Sequence, residues 1–147
     1  MTTPEFRAWD KERNEIVDVM SIDFSNKKIG VCNIPKRMFD GRLHTVYSVK
    51  RDWDEVELMQ STGVKDSNGI EIFEGDIVER VYTFPGNYGN KHVGEIIFDE
   101  EYAQYIISKP EKFTEPKTEK MRSTLSEIST YKVLGNVYEN IDLLEGI

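Results

Sequence analysis

A chain of 147 residues, 38% apolar and 11% aromatic, can bury a core of its own, and its one cysteine, Cys32, excludes an internal disulfide. No run approaches the ~20 apolar residues of a membrane helix, and the N-terminal Met1-Thr2-Thr3-Pro4-Glu5 lacks a secretory pattern, so a soluble, cytoplasmic protein is expected. The net charge of −8 is uneven: residues 1–60 carry −1, residues 61–147 carry −7, and residues 26–51 alone carry +6. An acidic body disfavours unspecific adhesion to nucleic acid.

In chain order, Glu5–Trp9 alternates in polarity, Asp10–Asn14 is a polar turn and Ile16–Met20 alternates again, which predicts an N-terminal hairpin continued by Ser21–Phe24 after a kink. Asn26-Lys27-Lys28 marks a turn before Ile29–Val31, Pro35 disfavours helix, and Val46–Val49 suits a short strand. Val56–Gln60, Ile70–Phe73, Ile77–Tyr82, Val93–Phe98 and Tyr102–Ile107 are successive β-like runs. Between them, Asn68-Gly69 suits a primed hairpin turn, Pro85–Asn90 a loop tip and Asp99-Glu100-Glu101 a tight reversal. Lys109–Ser123, with two prolines and eight charges, reads as a charged loop. Tyr131–Tyr138 is the last strand, with a bulge at Gly135-Asn136, and Asn140 is placed to cap a short turn through Leu144. The expectation is a mainly β fold: a β-rich part over 1–55, and a second part over 56–147 with the charged loop at 109–123.

Five stretches carry a family pattern. They are Phe6-Arg7-Ala8-Trp9-Asp10, Leu58-Met59-Gln60 with Thr62-Gly63, Lys65-Asp66 with Asn68-Gly69 and Ile72, Glu74-Gly75-Asp76-Ile77, and Leu134–Asn140 with Leu143-Leu144. Together with Gly94–Asp99 they resemble the YopX family of phage and prophage proteins. Ile141 stands where that family has proline, Phe73 where tyrosine is common, and residues 109–123 extend beyond the pattern. The resemblance implies a mostly β protein encoded by a phage or prophage, with a C-terminal part similar to a small, partly open SH3-like barrel. It implies no activity. The signature residues are themselves turn builders: Gly69 and Gly75 accept backbone angles that others resist, and Asp66 and Asp76 can bond nearby amides.

Catalytic chemistry finds little footing. His44, His92 and Cys32 are too few and too separated for a zinc site, and no phosphate loop or nucleophile elbow is present, so neither enzyme activity nor a cofactor is expected. Each histidine is read as a surface residue. Asp66-x-Asn68-Gly69 lacks the remaining ligands of a calcium loop. Asp52-x-Asp54-Glu55-x-Glu57 and Asp99-Glu100-Glu101 are carboxylate clusters of the kind that can hold magnesium. Glu55 and Glu57 would share a solvated strand face and the second cluster sits at a turn, so solvated charge is preferred over a hydrolase site.

The basic segment, Lys27, Lys28, Lys36, Arg37, Arg42, Lys50 and Arg51 interleaved with Phe39, Tyr47 and Trp53, has the composition of a single-stranded nucleic-acid surface. The preferred alternative is that these cations offset acidic groups, with Phe39 or Trp53 in the core. The expected function is a non-enzymatic, self-associating interaction module acting on a phage or host protein, with nucleic-acid binding through residues 26–51 as the alternative.

Overall fold

The computed structural model describes residues 4–34, 45–82, 91–108, 123–124 and 129–145. It is mainly β, built from antiparallel strands, and divides into two compact units, Met1–Gln60 and Ser61–Ile147. The division falls within a strand.

In the first unit β1 (Phe6–Asp10), β2 (Glu15–Asp23), β3 (Lys28–Cys32), β4 (Ser48–Asp52) and β5 (Val56–Lys65) pair in the order β4-β3-β2-β1-β5. The N-terminal hairpin is as expected, with Arg7 opposite Asp18 and Asp10 opposite Glu15. The kink is a register shift between Val19 and Ser21, which leaves Met20 as the extra residue. Ala8, Val17, Ile29, Val31 and Val56 form the core, with Val19, Ile22, Val49 and Leu58 packed against it. Each buried branched side chain contributes roughly 1.5–3 kcal/mol by leaving water. A 3₁₀ turn, Trp53–Glu55, joins β4 to β5.

β5 continues into the second unit, where Ser61 pairs with Phe73 and Lys65 with Glu71 of β6 (Glu71–Phe73). There β7 (Asp76–Tyr82), β8 (Lys91–Asp99), β9 (Gln104–Ser108), β10 (Ser123–Thr124) and β11 (Ser129–Asn136) pair in the order β10-β9-β8-β7-β11, before the short helix α1 (Asp142–Glu145). Among the described residues nothing joins β10 to β11, so this is an open sheet and not a closed barrel. Ile72, Val78, Ile96, Ile107 and Tyr131 are its core, with Val64, Tyr105 and Val133 packed on them. The bulge in β11 lies at Leu134, between Val133 and Gly135. A Cβ on Gly135 would come within 2.3 Å of the Asn140 side chain, so glycine is required for that approach. The loop tip at 85–90 and residues 109–122 lie outside the described residues.

Candidate functional site

The signature polar residues are mostly engaged in turns. Asp66 Oδ1 accepts the N–H of Asn68 and of Ile70, both at 2.8 Å, and its Oδ2 accepts Val133 N–H at 3.1 Å, fastening the β5–β6 turn to β11. Burial pushes the Asp66 carboxyl up, but these three amides outweigh it and hold it below the ordinary carboxylate range. The turn is not of the primed type. Asn68 keeps negative φ, Gly69 N–H donates to Asp66 O, and only Gly69 is left-handed, at φ +79°. This is the geometry of a type I turn closed by a left-handed glycine, selected here by the Asp66 side chain. Asp76 accepts Phe73 N–H, Thr62 Oγ1 donates to Ile72 O, and Asn136 accepts the N–H of Tyr138 and Glu139. Asn140 differs from expectation: its side chain accepts Asn136 N–H at 3.2 Å, and its backbone oxygen, not its side chain, meets Leu143 N–H.

Glu74 is the exception among these carboxylates. It is half-buried and makes no hydrogen bond or ion pair among the described residues. A bond from Gly75 N–H to Ile96 O, 2.8 Å, holds its segment beside β8. Burial raises the Glu74 carboxyl; burial and then the Glu74 charge raise Glu95; burial and then Glu74 raise the Tyr105 hydroxyl. This coupling was not anticipated from sequence.

Of the four described cations of the predicted basic segment, two are paired with carboxylates. Lys28 pairs with Asp52, which raises the lysine and lowers the carboxylate. Arg51 meets the fully buried Asp10 at 3.3 Å and Glu12 at 3.0 Å. Lys27 sits in a left-handed turn position and Lys50 is exposed on β4. Lys36, Arg37, Phe39, Arg42 and His44 lie outside the described residues. Trp53 is not in the core: it is 41% exposed and meets Phe24 edge to face, ring centroids 6.0 Å apart.

Oxygens of Asp52, Asp54 and Glu55 lie within 4.8 Å of one another. Asp52 is paired with Lys28, and Glu55 Oε1 accepts Asp52 N–H at 3.0 Å, so both shape the 3₁₀ turn. Glu55 therefore belongs to that turn and shares no strand face with Glu57, which pairs with Lys11 at 3.2 Å. In the second cluster Asp99 accepts Glu101 N–H, shaping the reversal. His92 is buried, contrary to its reading as a surface residue, because β8 begins at Lys91 and its alternation turns His92, Gly94 and Ile96 inward. Exposed aromatic surface remains at the β8–β9 reversal, where Phe98 and Tyr105 meet with ring centroids 5.2 Å apart. No helix among the described residues is long and apolar enough to cross a membrane.

A family model described as YopX protein matches residues 5–145. Among solved structures, protein EF1440 from Enterococcus faecalis is 29% identical, with a TM-score of 0.55, over 98% of this chain and 99% of its own. Protein yopX from Bacillus subtilis is 20% identical, with a TM-score of 0.56, over 97% and 98%. No curated protein matches the chain.

Proposed function

The chain belongs to the YopX family, and from its surfaces we propose that it is a soluble, phage- or prophage-encoded accessory protein acting in the host cytoplasm as a non-enzymatic, self-associating interaction module. The observation that carries this reading is a division of labour. Signature carboxylates and amides hold turns, whereas aromatic side chains stand exposed in both units. Exposed aromatic surface of this kind marks contact sites more often than catalytic ones. Self-association is further supported by strands at the ends of open sheets, which offer backbone groups to another chain, and by a chain combining an acidic half with a basic segment. Light scattering at tens of micromolar should return a mass above 17.1 kDa. The monomer mass would reject self-association. The nucleic-acid alternative is weakened by the occupation of Lys28 and Arg51 by carboxylates.

A further inference from the structure

The strands that end the sheets are not alike. On the outer side of β11, Tyr131 O accepts Ser67 N–H at 2.8 Å and Val133 N–H meets Asp66 Oδ2, so that edge is already bonded. At β6, three residues long, Ile72 O is taken by Thr62 and Phe73 N–H by Asp76. β10 is two residues long. β4, five residues at the end of the first unit's order, differs from all three.

The ladder fixes which of its backbone groups face outward. Asn33 N–H donates to Tyr47 O at 3.1 Å, and the same register continues through Val31–Val49 and Ile29–Arg51. Bonded and non-bonded pairs alternate in an antiparallel ladder, so Tyr47, Val49 and Arg51 turn their backbone groups to β3. Ser48, Lys50 and Asp52 turn theirs to the open edge. Asp52 N–H agrees with this alternation, reaching out to Glu55 Oε1 at 3.0 Å. That leaves Ser48 and Lys50 with both N–H and C=O aimed outward, and among the described residues no further strand lies there.

Symmetry and charge select the occupant. A second copy laid antiparallel along β4 and centred on Lys50 would set lysine against lysine, which is unfavourable. Centred on Arg51, it would oppose two arginines and require the Asp52 N–H that Glu55 holds. Centred on Ser48, it would run past the start of the strand. Centred on Val49, it meets none of these obstacles. Ser48 then lies opposite the partner's Lys50, a pair that exchanges both backbone bonds, and Val49 meets the partner's Val49. Tyr47, 58% exposed, comes beside the partner's Arg51, a cation whose charge Asp10 and Glu12 answer within its own chain.

We propose that β4 is the edge through which two copies join, antiparallel and centred on Val49, so that the first unit's sheet continues across a two-fold axis. This rests on the reading of the chain as self-associating.

The test is sedimentation equilibrium of the full chain and three variants at tens of micromolar, with hydrogen exchange of the Ser48 and Lys50 amides. Wild type should be a dimer with both amides protected. Lys50→Pro removes only an outward N–H, which an edge strand tolerates, and should sediment at the monomer mass of 17.1 kDa. Ser48→Lys faces the partner's Lys50 and should weaken association about fivefold or more, whereas Ser48→Glu should tighten it. These opposite responses decide the register even if Lys50→Pro fails to fold. Ser48 variants that move association in the same direction, or not at all, would overturn the proposal. A dimer whose Ser48 and Lys50 amides exchange freely sinks this edge alone and leaves self-association standing. A wild-type monomer sinks self-association and, with it, a second copy as the occupant of β4.

Discussion

In the first unit the buried carboxylate of Asp10 is answered by cations: Arg51 Nε at 3.3 Å and Arg13 Nε at 3.7 Å, with the N–H of Glu12 and Arg13 on its other oxygen. Arg13 also donates to Cys32 O at 2.7 Å, so this charge network joins β1, β3 and β4. In the second unit Asp66 is answered by three backbone amides. Both carboxylates tie a hairpin turn to a distant strand. The first arrangement needs partners from far along the chain in correct protonation and rotamer. In the second, two of the amides need only that the loop close and the third needs β11 in place, and none of them titrates. The position of the amide-held turn is legible in Asp66-x-Asn68-Gly69, whereas the remote Arg51 that answers Asp10 is not legible in any local motif.

Breaking the cation-held carboxylate should have the largest effect. Asp10→Ala leaves Arg13 and Arg51 without their buried partner and is expected to cost about 3–5 kcal/mol in denaturant unfolding. A loss under about 1 kcal/mol would show that both arginines rehydrate freely, making the network ornamental. Gly69→Val comes next. Nothing lies within 4 Å of a Cβ there, so the strain is purely that of a β-branched residue at φ +79°, about 1–3 kcal/mol. An unchanged melt would mean that the turn relaxes to negative φ and that Asp66 does not dictate its shape.

Smaller effects concern protons. Glu74 and Glu95 have raised carboxyls, so the stability they contribute is present below the unfolded carboxylate range and is lost as pH rises through their folded values. Asp66 has the opposite sign: its contribution is present above the unfolded range and lost as pH falls through its depressed value. Glu95→Gln should therefore be more stable than wild type near neutrality, the difference shrinking in mild acid. An equal difference at both pH values would show that Glu95 does not titrate in that window. The smallest signal expected is nucleic-acid binding. With Lys28 and Arg51 already paired, single strands should bind no tighter than about 10⁻⁴ M at physiological salt by fluorescence anisotropy. Micromolar binding that responds to Lys36, Arg37 and Arg42 changes would restore the alternative function.

Local chemistry made much of the fold legible. The N-terminal hairpin, the kink after Val19 and the reversal at Asp99 all follow from alternation and turn residues, whereas the bulge expected at Gly135-Asn136 falls one residue earlier, at Leu134. β5 runs on through Thr62-Gly63, beyond the Val56–Gln60 run read from the sequence, because Gly63 at φ +78° sits in the register shift between Ser61 and Lys65 and the strand resumes beyond it. The turn at Asn68-Gly69 departs from the primed type because the Asp66 side chain, invisible to a dipeptide rule, closes the loop. The candidate surface was less accessible still. The basic segment stands out in composition, but its neutralisation by Asp10, Glu12 and Asp52 depends on strand register. The influence of Glu74 on Glu95 and Tyr105 depends on one backbone bond between segments distant in sequence.

That the signature builds the fold, with Glu74 as the carboxylate it does not use for that purpose, is tested most directly by melting Asp66→Ala and Glu74→Gln side by side at neutral pH. Asp66→Ala orphans three amides and should lose about 3 kcal/mol, whereas Glu74→Gln should match or exceed wild type. An Asp66→Ala protein as stable as wild type, or a Glu74→Gln protein as damaged as Asp66→Ala, would contradict the account.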